Sequence, residues 1–202
     1  MDYIWDHMLQ MLPPALVGAA AFFCLRPWRG RRLAEQGRQS GPWREAAMLC
    51  FVMFSVGLAA LTLTPQNFWP AVYTGAPIAW PRPFANGANL VPFVGILYAV
   101  EGMDWLFLQC VGNVVMFMPF GFFPSLLWER PSWKRAALIG FFSSLSIESV
   151  QLFINRGTDI DDLILNTLGA LCGYWLFLLL RRLAPSFVSK FICHLREVPH
   201  GC

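Results

Sequence analysis

The sequence predicts an all-α, polytopic integral membrane protein of about five transmembrane helices, with the N-terminus outside, the C-terminus cytoplasmic and a C-terminal amphipathic surface helix. Three observations predict it. Of 202 residues, 56% are hydrophobic and only 13% charged, where soluble domains carry about a quarter charged residues; the mean hydropathy is +0.50. Apolar runs recur near the roughly 20 residues that a helix needs to cross the hydrocarbon core. The arginines occupy alternate connections between those runs.

The expected spans are 9–25, 46–63, 106–128, 136–154 and 163–183. Pro13 and Pro14 interrupt the first, and a helix tolerates them if they sit in its first turn. This run is read as a retained span. Asp2 and Asp6 precede it with no Lys or Arg, the wrong sign for a signal peptide, and arginines follow it instead of a small-residue cleavage site. The chain divides into 1–45, an N-terminal helix and basic loop, 46–183, the membrane domain, and 184–202, the tail.

Direction follows from charge. Arg26, Arg29, Arg31, Arg32, Arg38 and Arg44 cluster between the first two spans. Arg130, Lys134 and Arg135 lie between the third and fourth, and Arg181, Arg182, Lys190 and Arg196 follow the fifth. The intervening connections hold only Arg82 and Arg156. The positive-inside rule then puts the arginine-rich segments in the cytoplasm. In the tail, Phe187, Val188, Phe191, Ile192 and Leu195 recur at helical spacing with Lys190 and Arg196 between them, the pattern of a helix lying on the cytoplasmic leaflet.

Composition also excludes functions. A net charge of +3, dispersed between spans, excludes a nucleic-acid partner. The six cysteines show no metal-ligand spacing and mostly lie in apolar runs. GxSxG, HExxH and Walker signatures do not occur.

Against this background the stretch SIESVQLFINRGTDIDDLILNTLG, residues 146–169, is anomalous. Ser144, Glu148, Gln151 and Asn155 form one stripe on the fourth span, and Asp162, Asn166, Gly169 and Gly173 form one on the fifth. Glu148 falls about 9 Å below the outer end of its helix at 1.5 Å per residue. Asn113 on the third span and Asn89 in the preceding loop reach the same layer. Insertion scales put a mid-membrane acidic residue at about 2.5–3.5 kcal/mol, so such a group signals a functional site. The plainer reading ties Glu148 to Arg156 or a helix amide and lets it fix packing alone. The convergence predicts a polar cup open to the outside, walled by the third, fourth and fifth spans.

Asp159, Asp161 and Asp162 admit two further readings. Asp159 and Asp162 suit the N-terminal cap of the fifth span, with Asp162 in its first turn. Three aspartates in four residues exceed what a cap needs, and their oxygens suit Mg2+ or Ca2+. Arg156 with helix-terminus amides would instead hold a phosphate. Pro119 and Gly121 are expected to kink or break the third span.

The order NLVPF (89–93), NVVMFMPFGFFP (113–124), SIESVQLF (146–153), Arg156 and DIDDLILNTLGALCGY (159–174) resembles the VanZ-like family over roughly residues 50–180. The matching positions are Asn89, Pro92, Phe93, Asn113, Pro119, Gly121, Glu148, Gln151, Arg156, Asp159, Asp161, Asp162, Asn166 and Gly169. The resemblance implies a small membrane protein of the bacterial cytoplasmic (inner) membrane. The family's founding member is associated with resistance to glycopeptides, especially lipidated teicoplanin.

Three functions follow as expectations. The first is a binding module, in which Asn89, Asn113, Gln151, Arg156 and Asn166 hold a membrane-lipid head group, a cell-wall lipid precursor or a polyprenyl phosphate. The second is an enzyme acting on such a lipid, with Glu148, Asp159 and Asp162 catalytic and Glu148 the general acid or base, and a cation on Asp159, Asp161 and Asp162 polarising a phosphoryl group. A transporter ranks last, because no paired half-repeats are visible and the inner halves of the spans carry almost no charge.

Overall fold

The computed structural model describes residues 2–65, 68–78, 87–92, 103–154 and 157–195, and describes side chains within these except at 2–9, 70, 103–109 and 194–195. Five of its helices are long and apolar enough to cross a membrane. They are α1 (Asp2–Glu35), α2 (Pro42–Thr62), α4 (Met103–Leu127), α5 (Trp133–Phe153) and α6 (Ile160–Leu183), with a short α3 (Phe68–Thr74) between the second and third. At 1.5 Å per residue α4 is about 37 Å long, enough to span the core. Leu138, Phe142 and Leu145 on α5 and Trp175, Leu176 and Leu179 on α6 are exposed. In a membrane this apolar outer surface meets acyl chains, so its exposure carries no cost there.

The helices form two groups. α6 packs most extensively on α4 and next on α5, while α1 packs on α2. The trio is close because small residues line it. On α5 the buried residues Ala136, Gly140, Ser144 and Glu148 recur every four positions. On α6 Gly169, Ala170 and Gly173 are buried. The two groups meet through aromatic rings, with Phe51 of α2 5.6 Å from both Phe120 and Phe123 of α4. Edge-on and tilted arrangements of this kind suit the ring quadrupoles.

Several expectations change. α1 begins at Asp2, so Pro13, Pro14 and Pro27 lie inside it and not in its first turn. Transmembrane helices tolerate this where neighbours satisfy the freed carbonyls. α4 runs unbroken through Pro119 and Pro124, with Ser125 Oγ donating to the Gly121 carbonyl at 2.6 Å. The tail is not one amphipathic helix. Pro185–Val188 form a short α7, Ser189–Phe191 a 3-10 turn, and His194–Leu195 a strand (β4). Val188 and Phe191 are buried with Ala47, Leu126 and Phe177, and Trp43 packs edge-on against Phe187 and Phe191. The apolar spacing that suggested lipid contact instead serves contact with the bundle. α3 is an addition to the expected elements, and its Trp69 donates from Nε1 to the Ala60 carbonyl at 3.3 Å.

Two small pairings clamp the ends of the bundle. β1 (Arg38–Gln39) runs antiparallel to β4, with Arg38 opposite Leu195. β2 (Ala88–Asn89) runs parallel to β3 (Thr158–Asp159), with Asn89 opposite Asp159. The short turns between consecutive helices reverse the chain, so β1, the α4–α5 turn and the tail share one end. β2, β3 and the end of α2 share the other.

Candidate functional site

The acidic end is built from the start of α6. Asp159 is its N-cap, extended at φ −129 and ψ 131, and its carboxylate accepts the Asp161 N–H at 2.9 Å. Asp161 and Asp162 follow in the first turn, where negative charge offsets the exposed N–H groups of the helix. The cap is thus Asp159 and not Asp162. Its other oxygen accepts from Asn89 Nδ2 at 3.2 Å, so the parallel strand pair and this side-chain bond hold the 87–92 loop against α6 together. Asn89 Oδ1 in turn accepts the Val91 N–H at 3.2 Å, closing a local turn.

Glu148 lies one helix away and is 5% exposed. Its Oε2 accepts the Asp159 N–H at 3.3 Å, and its backbone carbonyl accepts Thr158 Oγ1 at 3.1 Å. Both bonds join the end of α5 to the strand preceding α6. The helix-amide form of the plainer reading is therefore present in modified form, since the amide belongs to the cap residue. Among the described residues no cation pairs with Glu148, Asp159 or Asp162. Arg156 and Asn155 lie outside the described residues.

On the α4 side Asn113 Nδ2 donates to Asp162. Deeper in the trio Asn166 Nδ2 donates to Ser144 Oγ at 2.9 Å; both residues are buried, Ser144 completely. Asn166 Oδ1 is buried without a partner among the described residues, and such a group costs about 1–3 kcal/mol. Gln151 turns elsewhere, donating to the Thr62 carbonyl at the end of α2 at 3.3 Å.

The structure therefore brings Asn89, Asn113, Glu148, Asp159, Asp162 and Asn166 to one end of α4, α5 and α6, with Asp161 buried beside them. Gln151 ties that end to α2. The expected open cup is not what these contacts describe. Glu148, Asp161 and Asn166 are buried, and most of the polar groups face one another. The Asp159 and Asp162 carboxylates serve separate partners, Asn89 and Asn113, and among the described residues no set of three His, Cys, Asp or Glu side chains is placed to hold a metal ion. A Mg2+ or Ca2+ held jointly by Asp159, Asp161 and Asp162 does not fit this arrangement.

Sequence reasoning missed Thr158, the Thr62 carbonyl and the pairing of β2 with β3. A Thr-Asp pair directly before an apolar helical run does signal an extended entry into a helix N-cap. Nothing local to 87–92 identifies 158–159 as its partner. Asp159→Ala is expected to cost about 1 kcal/mol, the usual loss for a removed N-cap, with a further loss from the Asn89 contact. Asp159→Asn, which keeps an acceptor, is expected to recover most of it. Thermal unfolding of the two variants in one detergent checks this, and equal midpoints for Ala and wild type would refute the cap.

A family model described as VanZ/LLP1 matches residues 46–181. The match runs from the start of α2 almost to the end of α6, and leaves out α1 and the tail. No curated protein and no solved structure matches the chain.

Proposed function

The chain belongs to the VanZ/LLP1 family, and from that premise we propose that it is a cell-envelope membrane protein whose acidic end holds the polar head group of an envelope lipid. A cell-wall lipid precursor is the ligand class that fits best. One observation carries the reading. Four separate segments deliver carboxylates and amides to a single layer of a chain that is only 13% charged.

The described groups are mostly acceptors, with side-chain amides among them. They suit a ligand rich in hydroxyl, amide or amine donors, such as the sugar of a glycosylated lipid. A bare polyprenyl phosphate would bring further acceptors to a layer already rich in them, and would need the Arg156 guanidinium to hold it. The unpartnered Asn166 Oδ1 is a further acceptor at the bottom of the same layer. For a ligand to enter, the Asn113–Asp162 and Asn89–Asp159 bonds would open, exchanging protein donors for ligand donors.

The arginine distribution orients the site. Most basic residues lie from the end of α1 to the start of α2, from the α4–α5 turn to the start of α5, and from the end of α6 into the tail, a distribution that supports a cytoplasmic position for them and an outer one for the acidic end. There, in a bacterial inner membrane, a retained precursor would change what a lipidated glycopeptide encounters, which links this reading to teicoplanin resistance.

The test is retention of a lipid-linked disaccharide precursor by the full-length protein in nanodiscs, against polyprenyl phosphate of equal chain length. The glycosylated lipid is expected to be retained preferentially, and Asn113→Ala to lower its retention several-fold. Equal binding of both lipids, or none of either, would refute the proposal.

A further inference from the structure

The opposite end of the molecule carries a second polar assembly of the reverse sign. A cavity of about 310 Å³ is lined by Arg38, Arg44, Arg130 and Arg135, with Glu129 and Trp128 in its wall. Its volume is at the lower end of small-molecule sites. The positive-inside rule explains why arginines lie at this end. It does not explain why arginines from separate segments converge on one cavity. Arg38 comes from β1, Arg44 from the first turn of α2, and Arg130 and Arg135 from the turn between α4 and α5 and the start of α5.

The four are held differently. Arg44 Nη1 donates to the Leu127 carbonyl at 2.6 Å and to the Phe191 carbonyl at 3.4 Å, which fixes it in the wall. Arg38 pairs with Glu129, the one carboxylate in the lining among the described residues. Arg135 Nη1 donates to the Arg130 carbonyl at 3.2 Å, and its guanidinium lies 5.9 Å from the Trp128 ring centroid. Among the described residues Arg130 and Arg135 have no carboxylate partner. Among the described residues the lining thus holds more guanidinium groups than carboxylates, the donor-rich chemistry that recognises phosphate. Trp128 is 44% exposed and Trp133 55%, and exposed tryptophans mark the level of lipid head groups.

We propose that this cavity is a phosphate-binding site, filled by the phosphodiester of an anionic membrane lipid or by phosphate from solution. Basic pockets between membrane helices take lipid head groups by this chemistry. Arg130 and Arg135 contact the phosphate, Arg44 and Trp128 form the wall, and Glu129 competes with the ligand for Arg38. The site is independent of the acidic end, so failure of either proposal leaves the other intact.

Native mass spectrometry of the full-length protein in neutral detergent provides the test, titrating phosphatidylglycerol, phosphatidylcholine and inorganic phosphate separately. Preferential retention of phosphatidylglycerol that millimolar phosphate does not displace assigns the site to lipid. Displacement by phosphate, with no preference between the lipids, assigns it to a soluble anion. The double variant Arg130→Gln/Arg135→Gln is expected to bind the favoured ligand at least roughly tenfold more weakly, the order expected for losing two basic side chains near an anionic surface. Glu129→Gln removes the competing carboxylate and is expected to bind it more tightly, a gain that misfolding cannot imitate. Binding that ignores both variants, or no preference for phosphatidylglycerol over zwitterionic phosphatidylcholine together with no phosphate effect, overturns the proposal.

Discussion

Gly121→Ala, Gly169→Ala and Gly173→Ala are each expected to prevent the helix trio from assembling. A Cβ at Gly121 would overlap the Ala170 carbonyl oxygen, one at Gly173 the Met118 carbonyl oxygen, and one at Gly169 the Val114 carbonyl oxygen. In each case the obstacle is backbone of a facing helix. A side chain would rotate away; a carbonyl in a helix moves only if the helix moves. Overpacking in a well-packed interior costs typically 1–3 kcal/mol and sometimes more, and separating α4 from α6 would also strip contacts along both. Small residues at such crossings allow the close approach on which membrane helix packing depends. Gly30→Ala and Gly112→Ala are the controls, since nothing lies within 4 Å of an added Cβ at either. Both are helical, and Ala there is expected to be neutral or stabilising by up to about 1 kcal/mol. The yield of monodisperse protein and the unfolding midpoint in detergent separate the two sets. Wild-type stability in Gly121→Ala would mean that α4 and α6 are not this close.

Glu148 is where stability and binding are expected to separate. Glu148→Ala leaves the Asp159 N–H without its acceptor and empties a buried position on α5. An unsatisfied buried donor costs about 1–3 kcal/mol, and the vacated volume adds to that. The Ala variant is therefore expected to be destabilised and to lose the head group. Glu148→Gln has nearly the same shape, and its amide oxygen can still accept the Asp159 N–H. It is expected to keep most of the stability while replacing one of the two carboxyl oxygens that can face ligand donors with an amide nitrogen. Retention of the lipid-linked disaccharide in nanodiscs should then fall several-fold, the scale of one lost hydrogen bond of about 1 kcal/mol. If Gln binds as wild type does, Glu148 serves packing and the head group is recognised elsewhere. If Gln is as unstable as Ala, the bond to the Asp159 amide is not what makes this position matter.

The arrangement at the acidic end explains why both changes are severe. Glu148 joins α5 to β3, Asp159 joins β3 to the 87–92 loop, and Asn113 joins α4 to Asp162. The small-residue stripes below bring the three helices close enough for those bonds to form. Loss of the close approach would disconnect the polar layer, whereas loss of one polar bond would leave the helices in place.

Helix number and approximate extent were readable from local sequence, because runs of apolar residues near membrane length are a one-dimensional signal. The stripe of Ser144 and Glu148 on α5, and of Asn166, Gly169 and Gly173 on α6, was readable for a similar reason: a helix repeats every 3.6 residues whatever surrounds it. The tail shows where that logic stops. Its spacing of Phe187, Val188 and Phe191 announces an apolar side, and a lipid surface and a helix bundle satisfy such a side equally well. Only the presence of Trp43, Leu126 and Phe177 nearby decides for the bundle.

The same division runs through the site. Which residue types gather in the 144–166 region, and that so much polarity in an apolar chain marks a special layer, follow from composition and periodicity alone. That Asp159 is the cap, that Asp162 meets Asn113, that Gln151 turns to Thr62 and that β2 pairs with β3 depends on segments distant in sequence. Four arginines in one cavity are likewise invisible in a list of basic loops. Apolar length and helical period are properties of single segments, so the chain determines them by itself; partners for polar groups exist only once helices have packed, and tertiary structure alone decides them.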